Sequence, residues 1–140
     1  MDVKKLITAA LVARNNSYAP YSDYNVGAAL LIGDGSIVCG SNIENASYGA
    51  TICAERCAVF NAVSSQKRDF EAIAIVGGRS EEIDNMSDYA YPCGMCRQVL
   101  REFTDPKTFK VIVARSINDY REYTLEELLP ESFGPDHVKK

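Results

Sequence analysis

The spacing of apolar residues predicts a helix and a hairpin near the start of the chain. Apolar positions recur at helical spacing over residues 3–15, and Asp2 in front of them can cap the helix. The stretch VGAALLIGDGSIVCGSN, residues 26–42, predicts two strands, and its Asp34-Gly35 pair suits a tight turn between them. We therefore expect an amphipathic helix followed by a β-hairpin.

The rest of the chain alternates between helical and extended patterns. Helices are expected over residues 53–65 and 93–104, and a short last helix follows the capping-box sequence that opens at Thr124. Nearly continuous apolar runs at 72–78 and 109–114 are typical of strands that are covered on both faces. The order α-β-β-α-β-α-β, with helices between apolar strands, predicts a three-layer α/β/α sandwich.

The length of 140 residues supports one sizeable core rather than two. We therefore expect a single domain over 1–134, with a flexible tail over 135–140. The polar, irregular segment RSEEIDNMSDYAY, residues 79–91, is expected to be a surface loop that leads to Pro92.

Composition and charge narrow the function classes. A net charge of −4 argues against a nucleic-acid partner, because such binding depends on basic side chains. No apolar stretch approaches the ~18 to 20 residues of a membrane span, and the N-terminal pattern is not that of a secretory signal. Five cysteines cannot form a complete set of disulfides. These features predict a cytoplasmic protein, in which a C-x-x-C pair indicates metal or redox chemistry.

Three of the cysteines predict a zinc site. Cys93 and Cys96 have the spacing that places two sulfurs on one ion, and Cys53 adds a third thiol at another predicted helix start. Helix N-termini favour negative charge and lower thiol pKa values. Cys57, one turn beyond Cys53, is the rival third ligand; otherwise Cys57 and Cys39 are small buried hydrophobic residues.

Two charged residues stand next to Cys53. Three thiolates on Zn²⁺ leave a charge of −1, which the cation of Arg56 can offset unless that side chain simply faces solvent. On a regular helix Cys53 and Glu55 would point about 200° apart, at roughly 100° per residue. Both can address one ion only if Cys53 lies in the first turn, which would make Thr51 or Ile52 the N-cap.

Several motifs resemble those of a known family. The sequence C-A-E followed by P-C-x-x-C resembles the zinc deaminase pattern, with Cys53 where other members have histidine. From about Tyr18 to Phe133 the chain is similar to the small nucleoside-specific cytidine deaminases. The matching stretches are YAPYSDYNVGAAL, GSNIENASYG, CAERCA, PCGMCRQVL and LLPESF. The Asn42-x-Glu44 pair, together with the stretch ENASYG that begins at Glu44, narrows the implied substrate to a free nucleoside.

The resemblance implies an activity and a fold with a central mixed β-sheet. One Zn²⁺ per subunit would be held by Cys53, Cys93 and Cys96, with a water of lowered pKa as the fourth ligand. Glu55 would take the proton of this water and deliver it to N3 of cytosine, and would later help to protonate the departing amine at C4. The implied reaction converts cytidine and 2′-deoxycytidine to uridine and 2′-deoxyuridine plus ammonia, in pyrimidine salvage.

The same resemblance implies the substrate contacts. The backbone N–H of Ala54 would contact O2 of the pyrimidine, and Asn42 and Glu44 would hold the ribose 3′-hydroxyl. Tyr24 stands where the family usually has a phenylalanine that stacks on the base. Arg56 would lie against the metal-bound sulfurs. On residue type alone, the alternative is that Asn42 and Glu44 are polar residues that end a strand.

The three-cysteine branch of the family implies a homotetramer whose neighbouring subunits complete each active site. Tyr48 and Phe133 would then reach into an adjacent pocket, whereas Phe133 could otherwise be a terminal core anchor. The loop at 79–91 is longer than in compact members of the family, which suits either a lid or an oligomer contact.

Other functions remain open at this stage. A deaminase of a cytosine-containing nucleoside antibiotic would need the same residues. A structural zinc module needs a fourth protein ligand, which Cys57 or Cys39 could supply, whereas His137 lies in the tail. A polynucleotide deaminase would need an electropositive groove, which the acidic balance disfavours. A thioredoxin-like redox site would need a strand before the C-x-x-C, where this chain has a polar loop and Pro92.

Overall fold

The computed structural model describes residues 1–139 and contains a five-stranded mixed sheet between helical layers. The elements are α1 (Val3–Arg14), β1 (Tyr24–Ile32), β2 (Ile37–Ser41), α2 (Ala54–Ser64), β3 (Phe70–Arg79), α3 (Gly94–Phe103), β4 (Lys110–Ser116), β5 (Asp119–Thr124) and α4 (Leu125–Leu128), with 3-10 turns at Tyr48–Ala50 and Pro135–His137. The strand order is β2-β1-β3-β4-β5, and β3 and β4 form the parallel pair within an otherwise antiparallel sheet. The predicted three-layer α/β/α sandwich with a central mixed sheet is confirmed.

One strand was not expected from the sequence. Strand β5, DYREYT, pairs with β4 at the edge of the sheet, and most of its side chains are exposed or only partly buried. An edge strand with few buried residues carries little of the apolar pattern by which strands are recognised. This strand is nevertheless important, because it lies beside the loop that leads to α3.

The two faces of the sheet are covered unequally. Helix α1 covers one face, where Leu6, Ile7 and Ala10 pack on small and branched residues of β1, β3 and β4. Helices α2 and α3 cover the other face, where Val59 and Leu100 belong to the larger core cluster. The starts of α2 and α3 lie on this second face, so the core fixes the place of any residue at those starts.

Glycine at position 40 lets α2 approach β2 closely. A side-chain carbon added to Gly40 would lie 2.6 Å from the carbonyl oxygen of Ala54 and 2.9 Å from the Cα of Ala58. Such separations are shorter than non-bonded contacts allow. Direct backbone packing of this kind holds the first turn of α2 against the sheet.

The C-terminal residues run beside α3. Pro135–His137 form a 3-10 turn, and Asp136 accepts a hydrogen bond from the buried guanidinium of Arg101 at 2.8 Å. The flexibility expected for 135–140 stays a prediction, and Lys140 lies outside the described residues. No helix within residues 1–139 has both the length and the apolar character needed to cross a membrane.

Candidate active site

Two helix starts bring three cysteine sulfurs together. Cys53 is the N-cap of α2 and Cys93 is the N-cap of α3, and neither side chain makes a capping hydrogen bond. Cys96, in the first turn of α3, is fully buried. The Cys53 and Cys93 sulfurs are 4.0 Å apart, those of Cys93 and Cys96 are 3.5 Å apart, and all three lie within 4.8 Å of one another.

These separations fit a tetrahedral metal ion. Zinc–sulfur bonds of ~2.3 Å at tetrahedral angles place the sulfurs about 3.8 Å apart. The three sulfurs are therefore spaced to share one Zn²⁺ and to leave its fourth position free for another ligand. Cys57 is not part of this cluster; its sulfur lies 3.7 Å from the side-chain nitrogen of Asn61. The geometry therefore favours Cys53 over its rival Cys57 as the third ligand.

The expected N-cap of α2 was wrong by one or two residues. The sequence predicted Thr51 or Ile52, but the cap is Cys53 itself, which has extended backbone angles. Because the cap residue has non-helical backbone angles, the 100° spacing of helical residues does not set the angle between the side chains of Cys53 and Glu55. Cys53 and Glu55 can therefore face the same ion even though they are only two residues apart.

Positive charge lies against the cluster. The guanidinium of Arg56 donates a hydrogen bond to the Cys53 sulfur at 3.4 Å, and its buried Nε has no hydrogen-bond partner within the described residues. The thiol of Cys96 together with Arg56 stabilises a thiolate on Cys53, whose pKa falls to about 5. The hydrogen bond with this thiolate raises the pKa of Cys96. The pKa values of Cys53 and Cys96 thus move in opposite directions. A bound divalent zinc ion would lower the pKa of all three cysteines, because it favours their thiolate forms.

Glu55 is a buried carboxyl beside the cluster. Its side chain belongs to the first turn of α2 and is 5% exposed. Burial raises the pKa of Glu55 to about 7, and the charge on Cys53 adds to this rise. A carboxyl with a pKa near neutrality can both accept and return a proton at physiological pH. The position suits the predicted proton shuttle, whose role stays a prediction at this point.

A cavity of about 460 Å³ opens in front of Glu55. Its volume is within the range of small-molecule sites. The lining residues are Ser22, Tyr24, Val26, Asn42, Glu44, Thr51, Ile52, Cys53, Ala54, Glu55, Ile75, Tyr89, Ala90, Tyr91 and Cys93. Of the residues predicted to bind substrate, Tyr24, Asn42, Glu44 and Ala54 line this cavity, together with Cys53 and Cys93 of the metal cluster.

Two polar side chains are fixed at one end of the cavity. The Asn42 amide donates to the Tyr24 carbonyl at 2.7 Å and accepts from the Val26 N–H at 2.9 Å. The Glu44 carboxylate accepts from the backbone N–H groups of Tyr21 and Ser22 and from the Ser22 hydroxyl. These bonds, above all that from the Ser22 hydroxyl, lower the pKa of Glu44. Each side chain retains capacity for a further hydrogen bond.

Tyr24 lies over a glycine. A side-chain carbon added to Gly77 would be 3.0 Å from the Tyr24 ring and 2.8 Å from the Cβ of Ala90. The two side chains therefore pack against the same backbone segment of β3. Burial raises the pKa of the Tyr24 hydroxyl, and Asp88 and Glu82 add to the rise. The phenol is thus neutral and can present an aromatic face to a ligand.

Two residues predicted to bind substrate lie outside this cavity. Tyr48 is 75% exposed and packs edge-on against Tyr21, and Phe133 is 61% exposed and stacks on His137. Neither lines the cavity. Phe133 is also not a core anchor, because most of its surface is exposed. Their reach into a neighbouring subunit stays a prediction.

Sequence reasoning missed one wall of the cavity. Tyr89, Ala90 and Tyr91 line it, as do Val26 and Ile75 from the sheet. The signal available in the sequence was weak: two aromatic residues at the end of a polar loop, directly before the metal-binding PCGMC. Only the fold shows that this loop end turns back toward β3.

A larger cavity of about 730 Å³ lies elsewhere, beside the end of α3 and the C-terminal segment. Its polar lining includes Arg101, Lys107 and Asp136, and it contains none of the predicted site residues. The smaller cavity is the candidate active site, because it combines an apolar floor with the metal cluster and a carboxyl of raised pKa.

Known proteins are similar to this chain in both sequence and fold. The cytidine and deoxycytidylate deaminase zinc-binding region matches residues 1–113. A cytidine deaminase from Halalkalibacterium halodurans is 47% identical over 138 residues, which cover 99% of this chain and 98% of that protein. A cytidine deaminase from Sporosarcina psychrophila is 43% identical over 99% of this chain and 96% of its own length. The crystal structure of cytidine deaminase from Burkholderia pseudomallei has a TM-score of 0.82 at 44% identity, covering 92% of this chain and 97% of that one.

Proposed function

The chain belongs to the cytidine and deoxycytidylate deaminase family, and on that premise we propose that it hydrolyses cytidine and 2′-deoxycytidine. The products are uridine and 2′-deoxyuridine, with release of ammonia. The observation that carries the proposal is the buried carboxyl of Glu55 beside three clustered thiols in one nucleoside-sized cavity. Curated relatives with this activity in their names match the chain over nearly its full length.

Zinc is the cofactor, and Cys53, Cys93 and Cys96 are the residues that would hold it. When bound, zinc acts as a Lewis acid that lowers the pKa of a water molecule at its open position. Arg56 offsets the excess negative charge of three thiolates, because its guanidinium lies against the Cys53 sulfur. A structural zinc site would need a fourth protein ligand, and the cluster within the described residues has three.

Glu55 carries the protons of the reaction. Its carboxylate accepts a proton from the attacking water and delivers it to N3, as the new C4–O bond forms. The carboxylate then accepts the remaining proton of the new C4 hydroxyl and passes it to the amine, so that the C4–N bond breaks, the C4 carbonyl forms and ammonia leaves. A pKa near 7 supports both directions of transfer, since neither protonation state is strongly favoured at neutral pH.

The remaining groups orient the nucleoside. The N–H of Ala54 lies at the start of α2, where backbone donors have no partner within the helix, and it would contact O2 of the base. Asn42 and Glu44, already fixed by backbone bonds, would bind the ribose 3′-hydroxyl. Tyr24 would pack against the base.

We also propose that the protein is a homotetramer that works in the cytoplasm. The exposed rings of Tyr48 and Phe133 support shared active sites, because a neighbouring subunit would bury apolar surface that one chain leaves open. Free cysteines support a reducing compartment. Light scattering on the purified protein measures the assembly directly, and a stable monomer would contradict the tetramer.

The decisive experiment measures ammonia release from cytidine by the zinc-loaded protein. Glu55→Gln keeps the shape of the side chain and removes its basicity, so we expect turnover to fall by about 10²- to 10⁴-fold with unchanged zinc content. Cys57→Ala is the matched control, because this thiol lies outside the cluster. Retained turnover in Glu55→Gln would contradict the proton shuttle. No release by the wild type would direct attention to other cytosine-containing nucleosides.

A further inference from the structure

The loop at 79–91 is fastened to the sheet rather than free. The Arg14 guanidinium donates to the carbonyl oxygens of Gly78 and Glu82, at 3.0 and 2.6 Å. The N–H of the buried residue Met86 donates to the carbonyl of Arg115 at 2.8 Å. These contacts hold the first part of the loop on the α1 side of the sheet.

The last part of the loop is held by a cluster that we call the tyrosine clamp: Tyr89, Arg115, Arg121 and Asp119. Both guanidiniums lie against the Tyr89 ring, with Arg115 4.8 Å and Arg121 4.3 Å from its centroid. The Tyr89 hydroxyl donates to Asp119, which also accepts from Arg115 at 2.7 Å. A ring that meets two cations and a carboxylate has little freedom to change its rotamer.

The clamp also reaches the next aromatic residue of the wall. The Arg121 guanidinium donates to the Tyr91 hydroxyl at 3.3 Å, and this hydroxyl is 2.9 Å from that of Tyr123. The rings of Tyr91 and Tyr123 meet edge-on, with centroids 5.8 Å apart. Strand β5, which provides both Arg121 and Tyr123, therefore fixes Tyr91 as well as Tyr89.

Between these two rings, Ala90 lies against the sheet. Its Cβ occupies the space that a side chain at Gly77 would need. Ala90 is 8% exposed and lines the cavity together with Tyr89 and Tyr91. Residues 89–91 are therefore a firm wall, and this wall continues through Pro92 into the metal-cluster residue Cys93.

The orientation of the base follows from the proposed function. C4 of cytosine must face the metal cluster, and its two ring neighbours are N3 and C5. N3 faces Glu55 at the start of α2, so C5 faces away from α2. The wall 89–91 belongs to the chain segment just before α3. It lines the cavity next to Cys93 and is not part of α2, so it lies on the side that C5 faces.

We propose that the tyrosine clamp holds the wall 89–91 against the C5 edge of cytosine and thereby excludes substituents at C5. The proposal rests on the proposed deamination. Arg115 and Arg121 do not line the cavity and act through Tyr89 and Tyr91, so they are positioning residues. A wall that cannot withdraw rejects an added methyl group by steric contact, whereas a loosened wall admits it.

The test compares kcat/KM for 5-methylcytidine with kcat/KM for cytidine. We expect the wild type to prefer cytidine by roughly 10-fold or more, the range for one misfitting methyl group. Arg121→Ala should raise the relative value for 5-methylcytidine by about fivefold, through a lower KM for that substrate, with zinc content unchanged. Arg121→Lys keeps a cation for the Tyr89 ring and loses the guanidinium fork, so its value should lie between the two.

Glu122→Ala is the matched control on the neighbouring position of β5, where the side chain is exposed and outside the clamp. The ratio of the two kcat/KM values does not depend on the fraction of active enzyme, so partial unfolding cannot imitate the result. Electronic effects of the methyl group are the same in every variant and cancel.

The outcomes separate this inference from the proposed function. If the wild type deaminates cytidine but treats both substrates equally, or if Arg121→Ala leaves the ratio unchanged, the clamp does not set C5 specificity and the deaminase assignment stands. If Glu122→Ala changes the ratio as much as Arg121→Ala, the effect is not specific to the clamp and the inference is overturned. If the wild type releases no ammonia from cytidine, the function fails and the inference fails with it.

Discussion

The two sides of the cavity are built by different means. On the metal side, Cys53 and Cys93 are the N-caps of helices whose apolar faces lie in the main core. On the loop side, Tyr89 and Tyr91 occupy the end of a thirteen-residue polar segment (79–91) and are held by side-chain contacts with β5. The first arrangement is fixed by the backbone and the second by a few polar and aromatic groups.

Because of this difference, we expect the metal side to control the rate of the reaction and the loop side to control which substrates bind. Residues at a helix start move only if the helix moves, and that motion requires opening of the core. A loop held by a small number of side-chain contacts can loosen locally while the domain stays folded. Changes on the metal side should therefore affect turnover for every substrate, and changes on the loop side should affect stability locally and substrate preference.

The largest effect is expected from Cys53→Ala. Loss of one of three sulfurs should abolish stable zinc binding and lower activity by more than about 100-fold, since even the outer partners of metal ligands are worth roughly 10- to 100-fold. Zinc content by mass spectrometry and ammonia release measure both effects. Cys57→Ala should keep both near the wild type; equal losses in the two variants would show that Cys57, not only Cys53, holds the ion.

A smaller but substantial effect is expected from Arg14→Met. The guanidinium donates hydrogen bonds to the carbonyls of Asn25, Gly78, Arg79 and Glu82, and the substitution removes this donor from all four. We expect a loss of about 2 to 3 kcal/mol in the free energy of unfolding, measured in urea.

The control for this change is Lys5→Met, which removes an exposed cation from the same helix. Its stability should stay within about 0.5 kcal/mol of the wild type, as is usual for surface positions. Arg14→Met should also raise KM more than it lowers zinc content. A variant that loses zinc and keeps KM would show that the two sides of the cavity are not independent.

Gly40→Ala tests the backbone-fixed side. The added methyl carbon would lie 2.6 Å from the Ala54 carbonyl oxygen, so α2 must shift away from β2. We expect a loss of about 1 to 2 kcal/mol in the free energy of unfolding, together with weaker zinc binding. Gly49→Ala is the matched control, because a methyl group there meets no atom within 4 Å. Similar melting temperatures for the two variants would contradict the close packing.

The smallest effect is expected from Glu82→Gln within the loop. The carboxylate accepts from the N–H groups of Arg79 and Ser87 and from the Ser87 hydroxyl, at 2.9, 2.6 and 2.6 Å. The hydrogen bond from the Ser87 side chain lowers the pKa of Glu82 more than any other contact does. The ionised Glu82 carboxylate therefore stabilises the folded loop fully above the ordinary pKa of glutamate, about 4.3. This stabilisation is lost as the pH falls through the lower pKa that Glu82 has in the folded protein.

Hydrogen exchange in residues 79–91 should consequently be slower in the wild type than in Glu82→Gln at pH 7. The difference between the two proteins should narrow below about pH 4, because protonation removes the same acceptor. A difference that grows with acidity would mean that the carboxylate opposes the folded loop.

The sequence was sufficient where short spacings decide the geometry. C-x-x-C places Cys93 and Cys96 on one helix turn, and a third thiol at a second helix start completes a recognisable donor set. It was insufficient for Tyr89, whose partners Arg115 and Arg121 come close only after β4 and β5 pair. Contacts between residues of different elements produce no periodic pattern in the sequence. The polar strand β5 also has too few apolar residues to be recognised as a strand.

The metal cluster also joins distant parts of the chain. Cys53 and Cys93 are 40 residues apart in sequence, and β3 lies between them. An ion bound to both is a reversible cross-link that closes this long loop and restricts the unfolded chain, much as a disulfide does. Resistance to proteases should therefore follow the free zinc concentration, so the lifetime of the protein would depend on metal supply as well as on temperature.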